Sequence, residues 1–143
     1  MIPPLERIVV AVDGSDESLK AVDYALKLAD PGRTMIKVLH VVLLPTGASE
    51  QTLQAVKKDM WAKGNEILSR AHRSDGLKSD KLETQIVETG HSVVMAIVDY
   101  ARQEKADLIV LGTKGTSGFG RLMLGSTAAG TVSLAPCSVL AVR

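Results

Sequence analysis

Residues 7–18 read RIVVAVDGSDES. After Arg7 the first half is apolar and rich in valine and isoleucine, the composition of a strand covered on both faces. The second half changes character at once. Asp13-Gly14 is a turn pair, Ser15 is a helix N-cap residue, and Asp16 and Glu17 fall at the positive end of the helix that Ser15 opens. A buried strand running directly into a capped helix is the building unit of parallel α/β folds, so the fold turns on whether the unit repeats.

It repeats along the whole chain. Val22, Ala25, Leu26 and Ala29 follow the spacing of one buried helix face, and Pro31-Gly32 stops that helix. A second strand is predicted over 35–44 (MIKVLHVVLL), ending at Pro45. Leu53, Val56, Met60, Ile67 and Ala71 mark a long helix whose face is interrupted by Gly64. A third strand is predicted at 83–88 (ETQIVE), and Gly90 separates it from a helix carrying Val94, Ile97 and Ala101. DLIVL at 107–111 is the fourth strand; a short helix from about residue 126 and the strand CSVLAV close the chain. This alternation predicts an α/β fold over residues 1–143, a single-domain open doubly wound five-stranded parallel sheet of order 3-2-1-4-5 with helices on both faces. Such sheets bind ligands beyond the carboxyl ends of the strands where the winding reverses. Here that place lies between strands 1 and 4, which end at Asp13-Gly14 and at Gly112.

Composition narrows the function. At 143 residues, 45% hydrophobic and 23% charged, the chain has the makeup of a globular domain that needs no metal or disulfide staple. Aromatic residues are only 3%, too few to build a base-stacking platform, and the formal net charge of +1 comes from interspersed charges. Neither nucleic acid nor a membrane is therefore an expected partner. The single Cys137 excludes an internal disulfide and a cysteine-based metal cluster. The opening MIPPLERIVV lacks a signal-peptide core, no stretch reaches membrane-spanning length, and the expected location is cytoplasmic.

The fourth strand runs into GTKGTSGFGRLMLGST, residues 112–127, with four glycines in its first nine positions. Gly115 to Gly120 has the glycine spacing of a P-loop, but Arg121-Leu122 stands where Lys and Ser or Thr are required. Gly118-Phe119-Gly120 begins a dinucleotide fingerprint, but Met123 occupies the third glycine position and the run follows strand 4 rather than strand 1. What remains is Gly112, two residues, Gly115, nine residues, then Gly125 and Ser126.

That spacing resembles the signature of the ATP-binding branch of the universal stress protein family. The opening IVVAVDGSDES, KVLHVV, ADLIVLGTKG and the closing APCSVLAV are similar to their counterparts there, in the same order. The resemblance implies a nucleotide-binding domain of that kind over residues 1–143. It implies a ribose contact at Asp13, an adenine-pocket position at Val41, and phosphate contacts around Gly112, Gly115, Gly125, Ser126 and Thr127. It also implies a homodimer in which the final strands of two subunits meet. The cofactor expected is ATP, with any magnesium held by its phosphates and water instead of a protein cage.

Elementary chemistry supports the same residues and also supplies plainer readings. Gly125, Ser126 and Thr127 open the last helix, where unpaired N–H groups attract an anion, yet Ser126 equally suits a helix cap. Lys114 and Arg121 supply charge or face solvent. Asp13 before Gly14 is a common turn residue, Val41 suits plain core, and Cys137 suits a small buried hydrophobe. His40, His72 and His91 have no metal-ligand spacing. No catalytic or metal-ligating residue is assigned. The leading expectation is an ATP-binding stress-response regulator in which occupancy of the strand 1/strand 4 crevice sets conformation or assembly. The alternatives are a slow ATPase or phosphoryl- or nucleotidyl-transfer enzyme, for which neither a general base nor an arginine finger is evident, and a dimeric adaptor that binds no nucleotide.

Overall fold

The computed structural model describes residues 4–73, 81–113 and 124–143. Five strands and four helices alternate: β1 (Arg7–Ala11), α1 (Asp16–Leu28), β2 (Met35–Leu43), α2 (Glu50–Arg73), β3 (Leu82–Thr89), α3 (Val93–Gln103), β4 (Leu108–Gly112), α4 (Ser126–Leu134) and β5 (Ser138–Val142). All strand pairings are parallel and the order is β3-β2-β1-β4-β5. The α/β doubly wound arrangement expected from the sequence is therefore the one observed, with each strand within a residue or two of its expected bounds.

Strand alternation divides the core in two. Ile8, Val10 and Val12 of the first strand segment, with Val38 and Val110, face Ala21, Val22 and Ala25 of α1 and Leu68 and Ala71 of α2. Val9, Leu39, Ile109 and Leu111 face the other way, against Ile97, Tyr100 and Ala101 of α3 and Ala128 of α4. Both faces of β1 and β4 are thus covered, which is why these two strands read as unbroken apolar runs. Burial pushes the Tyr100 hydroxyl up to about 12, with the charges of Glu104 and Glu83 adding to the shift. The first half of β3, with Glu83, Thr84 and Gln85 exposed, is more polar because among the described residues β3 pairs with β2 alone and stands at the sheet's edge.

The helix ends follow local chemistry. Ser15 caps α1 by accepting the Ser18 N–H, and Ser92 caps α3 by accepting the Met95 N–H. At the opposite end of the sheet, the Asp107 carboxylate accepts the N–H groups of Glu6 and Arg7 at 2.8 and 2.9 Å, fixing how β1 enters beside β4.

One close approach sets the crevice between β1 and β4. A Cβ on Gly112 would stand 2.9 Å from Glu17 Cβ and 3.1 Å from both the Glu17 carbonyl carbon and the Ser18 nitrogen. The first turn of α1 therefore lies directly on the end of β4, and two of those three atoms are backbone that cannot rotate aside. Gly112→Ala is expected to lower stability by about 1–3 kcal/mol through overpacking. Urea unfolding measures it, and a midpoint equal to that of the wild type would show that α1 can retreat at no cost.

Candidate functional site

The crevice expected between β1 and β4 exists and is lined from several elements. Asp13 follows β1, Val41 comes from β2, Gly112 ends β4 and Thr127 lies in the first turn of α4; all four border one cavity of about 90 Å³. Gly125 and Ser126 stand beside it at the start of α4. Gly115, with Lys114 and Arg121, lies outside the described residues.

Each position has a local cause. Asp13 is exposed, and its Oδ1 accepts the Ser15 N–H at 2.9 Å, the turn-forming bond its place before Gly14 suggests. Its own N–H donates to Ser18 Oγ at 3.2 Å, and that buried hydroxyl donates in turn to the Ser15 carbonyl at 2.9 Å. Gly14 takes φ +91°, the left-handed region that favours glycine. The carboxylate is thereby held by one oxygen, and the other has no partner among the described residues. Val41 is half-buried and packs with the α3/α4 core, so it serves that core as well as the cavity wall. Gly112 likewise has a packing reason for lacking a side chain, described above, in addition to its place on the wall.

α4 begins differently from α1 and α3. Its N-cap is Gly125, no side chain caps it, and its first turn holds no acidic residue, whereas α1 carries Asp16 and Glu17 there. The N–H groups of its first turn thus lack intrahelical acceptors, and the helix dipole favours negative charge beside them. Ser126 is exposed and Thr127 half-buried at the cavity edge. The Gly125 N–H donates to the Thr113 carbonyl at 2.6 Å, and the Thr113 N–H donates to Val142 O at 2.8 Å. The two ends of the glycine-rich segment are therefore joined to each other and to the sheet.

Sequence reasoning missed Ser18 and His40, which also line the cavity, together with Val93, Ile97 and Ala128. A signal for His40 was present: it is the polar ring in an otherwise apolar stretch of β2. The helical positions carry none, because a residue facing a cavity and one facing core have the same spacing. Cys137 lies just before β5, at the end of the sheet away from the crevice, and its thiol is raised above the ordinary value by burial and then by the Asp107 charge. A raised thiol is a poor nucleophile at neutral pH.

The model of the universal stress protein family matches residues 4–143. The chain belongs to the universal stress protein family. A universal stress protein of Methanocaldococcus jannaschii is 32% identical over 144 residues, an alignment that covers 96% of this chain and 82% of that protein. Among solved structures, universal stress protein UspA from Lactobacillus plantarum superposes with a TM-score of 0.83 at 27% identity, over 99% of each chain. A universal stress protein solved in complex with cAMP is 30% identical, with a TM-score of 0.68 over 99% of this chain and 98% of that one.

The turn at Asp13 separates structure from binding. Asp13→Asn keeps an acceptor for the Ser15 N–H and is expected to leave thermal stability within a few tenths of a kcal/mol of the wild type, whereas Asp13→Ala loses about 1 kcal/mol. Equal melting temperatures for Asp13→Ala and the wild type would show that the turn does not depend on its carboxylate.

Proposed function

We propose that this universal stress protein is an ATP-binding regulator of the stress response, in which nucleotide occupancy of the β1/β4 crevice sets conformation or assembly. The observation that carries the reading is the convergence of Asp13, Val41, Gly112 and Thr127, from four separate elements, on one cavity at the switch point. The family member solved with cAMP supports an adenine nucleotide as the ligand class.

The proportions of the crevice divide the ligand. A cavity of about 90 Å³ takes one part of a nucleotide and not the whole, since sites that enclose a drug-sized ligand measure roughly 300–1,000 Å³. The base fits the apolar wall formed by Val41, Leu39 and Ile97. The ribose then meets Asp13, whose second carboxylate oxygen accepts a hydroxyl. The phosphates lie outside, along the uncapped start of α4, where Gly125, Ser126 and Thr127 supply N–H and hydroxyl donors; the glycine at position 115 is kept in the proposal as a phosphate contact on the strength of the sequence alone. A magnesium ion travels with those phosphates. These donors hold ground state and transition state alike, so they give occupancy without fast turnover.

Assembly is read from the free side of β5. That strand pairs with β4 alone among the described residues, and exposed Val132 and Leu134 stand just before it in the chain. A second copy of the chain, adding its own β5, would cover them.

Two measurements test the reading. Calorimetry is expected to give ATP binding by the wild type and at least about tenfold weaker binding by Gly115→Val, whose side chain blocks close backbone approach; equal affinities would remove the glycine-rich segment from the site. Native mass spectrometry is expected to record a dimer, and a monomer at micromolar concentration would overturn the β5 assembly.

A further inference from the structure

The turn that presents Asp13 to the crevice is held from behind the sheet. Alternation along β2 sends Leu39 and Val41 to the α3/α4 face and His40 to the opposite face, where α2 lies. His40 Nδ1 stands 2.8 Å from the carbonyl oxygen of Val12, the residue before Asp13. A carbonyl only accepts, so Nδ1 carries the proton and donates. The ring has little freedom to leave: Gly64 of α2 packs so closely that a Cβ there would stand 2.8 Å from His40 Cδ2. Farther along α2, Arg70 Nη2 donates to the carbonyl of Gly14, the residue after Asp13, at 3.2 Å. The Ile67 side chain closes the same spot, 3.2 Å from where a Gly14 Cβ would be.

The carbonyls on both sides of Asp13 are thus taken by back-face donors from two different elements. The Val12 N–H is already bonded to Leu39 O at 2.9 Å, and the Asp13 N–H to Ser18 Oγ. These bonds tie the backbone on both sides of Asp13, and the Asp13 side chain is itself tied by Oδ1 to the Ser15 N–H.

We propose that His40 and Arg70 are positioning residues for the nucleotide site, holding the Val12 carbonyl from β2 and the Gly14 carbonyl from α2 so that the Asp13 carboxylate stays at the crevice. The proposal rests on the nucleotide reading above. Arg70 is not among the residues that line the cavity and His40 borders it; the role proposed for both runs through the turn, by sparing the bound state the cost of ordering it.

Calorimetry with ATP on the full chain tests this. His40→Leu removes the donor while keeping an apolar side chain of similar bulk, and binding is expected to weaken about tenfold, the worth of one well-placed hydrogen bond. His40→Asn restores an N–H donor at the same distance from the backbone, and its affinity is expected to return to within roughly threefold of the wild type. Arg70→Met is expected to weaken ATP as His40→Leu does, and it carries the test if His40→Leu does not fold. In both weakened variants the Ser15 amide resonance, which reports the bond to Asp13, is expected to shift. Wild-type affinity in Arg70→Met and in any folded His40→Leu overturns the positioning role alone. Equal weakening by His40→Leu and His40→Asn assigns His40 to packing and overturns it as well. Absence of ATP binding by the wild type overturns the nucleotide reading first and this proposal with it, so the two failures are told apart by the wild-type measurement.

Discussion

The missing side chain at Gly112 is the constraint on which the crevice depends. The first turn of α1 rests on the last residue of β4 at a distance that a single methyl group would violate. That contact fixes how far the two central strands' carboxyl ends can part, and with it the position of Ser15, Ser18 and the turn between them. Parallel sheets open at their switch point because the helices on either side leave in opposite directions. In this chain the first turn of α1 lies directly on the end of β4, and Gly112 and Ser18 both border the crevice.

Around the crevice, the two faces of the sheet have different tasks. The α3/α4 face supplies the apolar wall through Leu39, Val41 and Ile97. The α1/α2 face supplies rigidity through Ser18, His40 and Arg70, whose bonds end on backbone around Asp13. Alternation along β2 is enough to assign neighbouring residues to the two tasks: His40 to support, Val41 to the wall. A one-residue slip of β2 against β1 would exchange them, and the register Val10 to Val38 and Ala11 to Leu39 is what prevents it.

Much of this was legible in the sequence, and the limits have physical causes. Strand order followed from the regular alternation of buried runs and capped helices, because covered parallel strands have few other arrangements. The cap at Ser15 and the end of the first helix before Pro31-Gly32 were visible for the same local reasons that form them. Glycine is a weaker signal, since it announces that something comes close without saying what. Gly112 pointed to a ligand in sequence, and in the structure Glu17 and Ser18 of α1 already occupy the space beside it. Gly64 was a mere interruption of an apolar face until the His40 ring was seen against it. Ser18 carried no signal in the sequence, because its bonds to Asp13 and Ser15 arise only once the turn is folded.

The bond between the Gly125 N–H and the Thr113 carbonyl has an entropic consequence. It joins Thr113, just past β4, to Gly125, at the start of α4, so both anchors of the intervening chain are held at the sheet. Loop closure entropy grows slowly, by about 0.6 kcal/mol for each doubling of length. On that scale, a change in the length of chain between two anchored ends costs little in closure entropy. The stretch between them is thus entered and left at two points held by the same sheet.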